Sequence, residues 1–180
     1  MTSAAPQQSF GFSDAIAASG CTESALTHLL RTGTVAADLA QAGGPGRHRR
    51  FSLTNLYEIA LATVLATVTT LQSANPKIPG WQIKVTLGGL RDMWPVIQDL
   101  TTRPEREILA LRFLSREAIA EFDRLNSPLM EGACNLIAYP VSRERAAKYL
   151  AERDDQFQAH TFIDLGAIVD AVNTRLNDGK

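Results

Sequence analysis

Two short helical patterns follow one another closely between residues 12 and 33. Gly20 separates them, and glycine accepts the left-handed backbone conformation that a sharp turn requires. Ser13 can cap the first helix and Thr22 the second through their hydroxyl groups. The second pattern ends at Gly33, and its inward positions are all apolar: Ala25, Leu26, Leu29 and Leu30. The pattern therefore predicts two short helices joined by a glycine turn.

The outward face of the second helix is polar. Its members are spaced i, i+3, i+4 and i+7, which places them on one side of an α-helix: Ser24, Thr27, His28 and Arg31. Short polar donors together with one long cation suit the base edges in the major groove of DNA. Thr22, at the exposed start of the helix, suits a phosphate contact as well as a cap. This face is predicted to bind DNA.

A basic hairpin is predicted in the sequence GGPGRHRR, after these two helices. Glycine and proline favour a turn, and the tip and returning arm of the hairpin are basic: Arg47, His48, Arg49 and Arg50. Arginine neutralises phosphates and offers forked donors to phosphate oxygens or minor-groove edges. Ser52 or Thr54 then begins an apolar helix that is expected to end near Leu71. This order predicts a winged helix-turn-helix over residues 10–72.

The stretch from Phe12 to Leu61 resembles the DNA-binding domain of the MerR family and of its phage relatives, the excisionases and small terminase subunits. The segments SGCTESAL and GRHRRFSLTNLYEIAL carry the resemblance. Arg49 falls at the family's wing arginine and Phe51 at its second aromatic position. Residues 27–30 depart from the Arg-Tyr-Tyr-Glu run of the family's second helix. The resemblance therefore implies the DNA-binding fold and not a metal- or drug-sensing activator.

Residues 73–104 are predicted to be a linker and connecting segment. QSANPKIPGW contains two prolines and a glycine, which is typical of a linker. Ile83, Val85 and Leu87 alternate with polar residues, which predicts a short strand. A short helix is expected to follow around Leu90 to Trp94, where Pro95 interrupts it.

Three apolar runs, each followed by a helical pattern, make up residues 105–180: EILALRFL, CNLIAYPV and HTFIDL. The alternation predicts a small C-terminal α/β domain for dimerisation or for binding another protein. The first run also fits one long dimerisation helix over residues 105–126, although the strand is favoured. Residues 1–9 are small and polar and are predicted to be a disordered tail. The chain as a whole is assigned to the α+β class.

The composition allows one ordinary domain or two small ones. Of the 180 residues 45% are hydrophobic, which is enough to fill a core. Residues 1–90 carry six Lys and Arg against four Asp and Glu, and half of these six lie in the basic hairpin. This charge distribution excludes a uniformly basic protein that coats nucleic acid. It does not exclude a local basic patch that binds nucleic acid. Two cysteines, no secretory signal and no bilayer-spanning apolar stretch predict a cytoplasmic protein without membrane contact.

The sequence carries no enzyme signature. Gly88 and Gly89 lack the lysine and spacing of a phosphate loop, and the three histidines have no i, i+4 partner or nearby cysteine. We therefore predict no catalytic residue, no metal site and no cofactor.

The leading hypothesis is a sequence-selective protein that binds double-stranded DNA. It would be a phage or bacterial transcriptional regulator acting as a homodimer, because one winged module touches few phosphates and bases. One alternative is a phage DNA-packaging or excision component that uses the same module. Another is a C-terminal domain that senses a small molecule or carries an enzymatic activity.

Overall fold

Internal contacts divide the chain into two units. The computed structural model describes residues 8–37, 49–68, 78, 80–99, 107–125, 136–152 and 154–179. The first unit contains Met1–Trp94 and Ala167–Lys180, and the second contains Pro95–Gly166. Helices and an antiparallel sheet are both present, so the predicted α+β class is confirmed.

The helices are numbered in chain order. The first four span Phe12–Ser19 (α1), Glu23–Arg31 (α2), Leu53–Thr67 (α3) and Gly80–Leu90 (α4). A 3₁₀ turn, Arg91–Met93, leads into Trp94–Gln98 (α5). Among the residues that the structure describes, three further helices follow: Arg116–Leu125 (α6), Arg143–Ala151 (α7) and Leu165–Asp178 (α8).

Local sequence signals explain α1, α2 and the turn between them. The N–H of Gly11 donates to Asp14 Oδ2 at 2.8 Å, so Gly11 is the N-cap of α1. Ser13 therefore lies inside the helix, and its predicted role as the cap is wrong. Gly20 ends α1 with a φ of 71°, and Gly33, after α2, has a φ of 64°. Both glycines occupy the left-handed region, as the predicted turns require.

Helix α3 supplies much of the core of the first unit. Ser52 caps it as predicted, because Ser52 Oγ accepts the N–H of Asn55 at 3.3 Å and Asn55 Oδ1 accepts the N–H of Ser52 at 3.0 Å. Its largest fully buried side chains are Leu56, Tyr57, Ile59, Leu61 and Leu65. The helix ends at Thr67, before the predicted Leu71, because Val68 takes an extended conformation with a ψ of 120°.

The strand predicted at Ile83, Val85 and Leu87 is wrong, because these residues lie in α4. Ile83, Leu87 and Leu90 are buried at the spacing i, i+4 and i+7, whereas Val85 is 63% exposed. A strand would have placed Ile83, Val85 and Leu87 on one face. Contact of α4 with α3 selects the helical period instead. Part of the predicted connecting segment is thus a packed helix of the first unit.

An ion pair between a buried carboxylate and a half-exposed arginine joins α3 to the 3₁₀ turn. The Glu58 side chain is 1% exposed, and its two oxygens accept from Arg91 Nε at 2.8 Å and Nη2 at 3.0 Å. Beside it, the rings of Tyr57 and Trp94 lie with their centroids 5.4 Å apart. Both aromatic side chains are fully buried. A charged residue in the middle of an apolar helix is therefore compensated by a bidentate arginine.

Helix α8 completes the first unit, although the sequence assigned it to the C-terminal α/β domain. The hydroxyl of Tyr57 donates to Asn173 Oδ1 at 2.9 Å. Arg175 Nη1 donates to the carbonyl of Ala18 at 3.3 Å. These long-range bonds link α8 to α3 and α1, and no local sequence pattern encodes them. The first unit is consequently discontinuous in sequence.

The second unit is built on a three-stranded sheet. Its strands are Ile108–Leu114 (β1), Leu136–Val141 (β2) and Phe157–Asp164 (β3), in the order β2-β1-β3 with β1 antiparallel to both neighbours. The strands β2 and β3 are joined through α7 and run parallel to each other, with β1 between them. The predicted alternation of strands and helices is confirmed. The alternative of one long helix over residues 105–126 is wrong, because two sheet neighbours hold β1 extended.

Candidate nucleic-acid interface

Helix α2 has one buried face and one exposed polar face. Leu26 is fully buried and Leu29 is 9% exposed. The four side chains predicted to read DNA are all exposed: Ser24, Thr27, His28 and Arg31. Their spacing brings them together on one side of the helix. The surface therefore offers two hydroxyls, an imidazole and a guanidinium within about two helical turns.

Thr22 lies at the N-terminal edge of this face and has a structural role. Its Oγ1 accepts the N–H of Ala25 at 3.2 Å and lies 3.1 Å from Ser24 Oγ. The hydroxyl thus satisfies one of the free N–H groups at the start of α2. Glu23, the next residue, is also exposed. Its carboxylate interacts favourably with the positive end of the helix dipole. It also adds a negative charge beside the polar face.

The two described residues of the basic segment lie just before α3. Arg49 is exposed and Arg50 is half-buried. Phe51, the next residue, is fully buried and exchanges two backbone hydrogen bonds with Phe10, each of 3.0 Å. This isolated bridge fixes the chain where it leaves the basic segment. Arg47, His48 and the glycine-rich turn lie outside the described residues.

The second unit contains a cluster around a nearly buried arginine, which was not predicted from the sequence. Arg112, on the central strand β1, donates to Asp154 Oδ2 at 2.6 Å and to the hydroxyl of Tyr139 at 3.2 Å. Its guanidinium lies 3.6 Å from the ring centre of Phe157 and 4.6 Å from that of Tyr149. The cluster ties all three strands to α7. The arginine inside the apolar run EILALRFL is the sequence feature from which a buried polar cluster could have been predicted.

The electrostatics of this cluster favour a structural role. Burial alone would lower the pKa of Arg112, but its hydrogen bonds to Tyr139 and Asp154 raise it. The bond from Arg112 in turn lowers the pKa of Asp154. Burial lowers the pKa of His160, and the charge of Arg112 adds to this effect. His160 is therefore neutral near pH 7, and the charges that remain are paired with one another.

Comparison with known proteins leaves the family open: no family model matches the chain, and no curated protein is significantly similar to it. Within the described ranges, no three His, Cys, Asp or Glu side chains are grouped as a metal ion would require. Among the helices described above, none is both long and apolar enough to cross a membrane.

Proposed function

We propose that the chain is a sequence-selective protein that binds double-stranded DNA and acts as a homodimeric transcriptional regulator of phage or bacterial type. In this proposal residues 10–72 form a winged helix-turn-helix of MerR-like kind. Helix α2 is the recognition helix, and residues 47–50 belong to the wing. The second unit, residues 95–166, supplies dimerisation or contacts to another protein.

The proposal rests on the observation that α2 has one buried apolar face and one exposed polar face. Leu26 and Leu29 anchor the helix in the core, so its opposite face is presented to solvent at a fixed orientation. Short side chains such as Ser24 and Thr27 let the backbone of a helix approach base edges closely, and Arg31 can reach a guanine edge or a phosphate. A face held by local capping and core packing meets the requirement that a reading element be rigid.

The basic segment supports the proposal independently. Arg49 and Arg50 precede the Phe10–Phe51 bridge, which holds their backbone close to the start of α3. Arginines at such a position can neutralise phosphates on a duplex that α2 enters, and they supply affinity without reading sequence. A dimer follows from the small size of the module, since two half-sites are needed for useful affinity.

The proposal is tested by selecting bound duplexes from a random pool. The affinity for the selected duplex is then measured for a double alanine variant of α2 and for a control alanine variant. Replacing Thr27 and His28 together should cost about 1–3 kcal/mol for each lost base contact on the selected site. Binding to a scrambled duplex at the same salt concentration should change little. Thr174→Ala, which removes an exposed threonine from α8, is the matched control. A parallel loss on both duplexes would refute a reading role for α2.

Light scattering distinguishes the regulator from the packaging alternative. A regulator of the proposed kind should run at the mass of a dimer, whereas a ring-forming packaging subunit should run far above it.

A further inference from the structure

A pocket of about 510 Å³ opens in the first unit, between the C-terminal end of α2, the end of α3 and the start of α4. Its volume lies within the range of about 300–1,000 Å³ that is usual for small-molecule sites. No role in the proposed DNA interface accounts for it. Its lining shows which class of ligand it would accept.

One side of the pocket is apolar. Leu29, Ile78 and Ile83 line it, and each is at most 9% exposed. The indole of Trp81 stands at the same pocket and is 51% exposed. A large aromatic ring that is half in solvent beside an apolar wall offers a face on which a planar group can stack. The apolar side therefore suits a flat aromatic or heterocyclic body.

The other side of the pocket carries one lysine ammonium and one imidazole. Lys84 and His28 both line it, and no carboxylate is found among its described lining residues. Lys84 forms no ion pair or hydrogen bond within the described part of the chain. Its Nζ lies 3.5 Å from the point where a Cβ on Gly33 would stand, so the ammonium is directed to the C-terminal end of α2. An ammonium without a partner among the described residues, next to an apolar wall, is complementary to a single anionic group.

The pocket shares residues with α2 and with the turn that follows it. Thr32 Oγ1 lies 2.9 Å from the carbonyl oxygen of His28 and 2.8 Å from Thr34 Oγ1, and both threonines line the pocket. His28 belongs to the exposed face of α2 as well as to the pocket wall. A molecule in the pocket would therefore touch one of the side chains assigned to base reading.

We propose that this pocket binds a small molecule with a planar apolar body and one anionic group, and that this molecule weakens DNA binding through His28. The binding site stands on the pocket alone. Its effect on DNA rests on the proposed function.

Titration of the full chain with 8-anilinonaphthalene-1-sulfonate tests the site, because this anion has a planar naphthalene body and fluoresces in apolar surroundings. One saturable site is expected. Lys84→Gln should raise the dissociation constant about tenfold, the scale of one lost charge-assisted hydrogen bond. Lys84→Arg should restore most of the affinity. Lys148→Gln, at an exposed lysine of α7, is the matched control. Equal affinity of Lys84→Gln and Lys148→Gln, or no saturable binding, overturns the site.

The coupling is measured separately, as the affinity for the selected duplex with and without saturating probe. A reduction of about fivefold or more is expected, and DNA must weaken probe binding by the same factor because linkage is reciprocal. Equal affinity for DNA in both conditions overturns the coupling. If the chain binds no duplex even without the probe, the proposed function fails, whereas the Lys84 titration still decides the site.

Discussion

Removing Arg91 should destabilise the first unit far more than removing an ordinary surface arginine. The Arg91 side chain is 44% exposed, but the Glu58 carboxylate that it binds is 1% exposed. In Arg91→Ala that carboxylate stays in the core, where the amide of Asn55 lies 3.5 Å from Glu58 Oε2. Loss of one partner of a buried ion pair costs about 3–5 kcal/mol, because the other charge is left uncompensated.

A second substitution separates the buried charge from the lost contacts. Glu58→Gln keeps the shape of the side chain but removes its charge. In that background the contact that Arg91→Ala removes at residue 58 is a hydrogen bond to a neutral amide oxygen, which is worth about 0.5–1.5 kcal/mol. The cost of Arg91→Ala should therefore fall by about 2 kcal/mol or more when Glu58→Gln is already in place.

Urea unfolding of the full chain, followed by tryptophan fluorescence, measures these costs. Both tryptophans, Trp81 and Trp94, belong to the first unit, so the fluorescence signal arises in that unit. Arg31→Ala, at an exposed position of α2, should change the free energy of unfolding by less than about 0.5 kcal/mol. Equal costs of Arg91→Ala in the native chain and in the Glu58→Gln variant would refute the reasoning, since the arginine would then not be compensating a buried charge.

Three further predictions concern the turn, the sheet and the basic segment. Gly20→Ala should lower the free energy of unfolding by about 1–2 kcal/mol in the same urea assay, because its φ of 71° is costly for a residue with a Cβ. The lowered pKa of His160 means that the unfolded chain binds its proton more readily; stability should therefore fall as pH drops below about 6.5 through the folded-state pKa. His160→Asn should reduce that fall between about pH 7.5 and 5, followed by circular dichroism, and an unchanged fall would contradict this. Replacing Arg47, Arg49 and Arg50 by alanine should reduce the log–log salt dependence of DNA binding by about 0.9 for each lost phosphate contact, and an unchanged slope would remove the basic segment from the interface.

The helices with strong local signals were predictable from the sequence. Gly20, Thr22 and Ser52 are turn or cap residues whose conformation is decided by their nearest neighbours, and the structure places them as expected. The exposed face of α2 was predictable for the same reason, since a 3.6-residue period fixes which side chains oppose Leu26. These features depend on few long-range contacts.

The features that depend on tertiary contacts were not predictable. Residues 83–87 fit both a strand and a helix, and only contact with α3 decides between them. The assignment of α8 to the first unit depends on Asn173 and Arg175, which bond to residues more than 100 positions away. The pocket beside His28 likewise combines residues from three helices. No local sequence motif therefore predicts that Lys84 and Trp81 belong to it.

The discontinuity of the first unit has a consequence for protein synthesis. Its N-terminal part ends at Trp94, and its last helix is made only after the whole second unit has been translated. At typical rates of about 5–20 residues per second, the ribosome needs roughly 4–17 seconds to make residues 95–180. Throughout that interval Tyr57 and Ala18 lack the partners that α8 supplies. The proposed DNA-binding unit is therefore completed only after the second unit, and a chain terminated after Gly166 would carry the sheet but not a complete first unit.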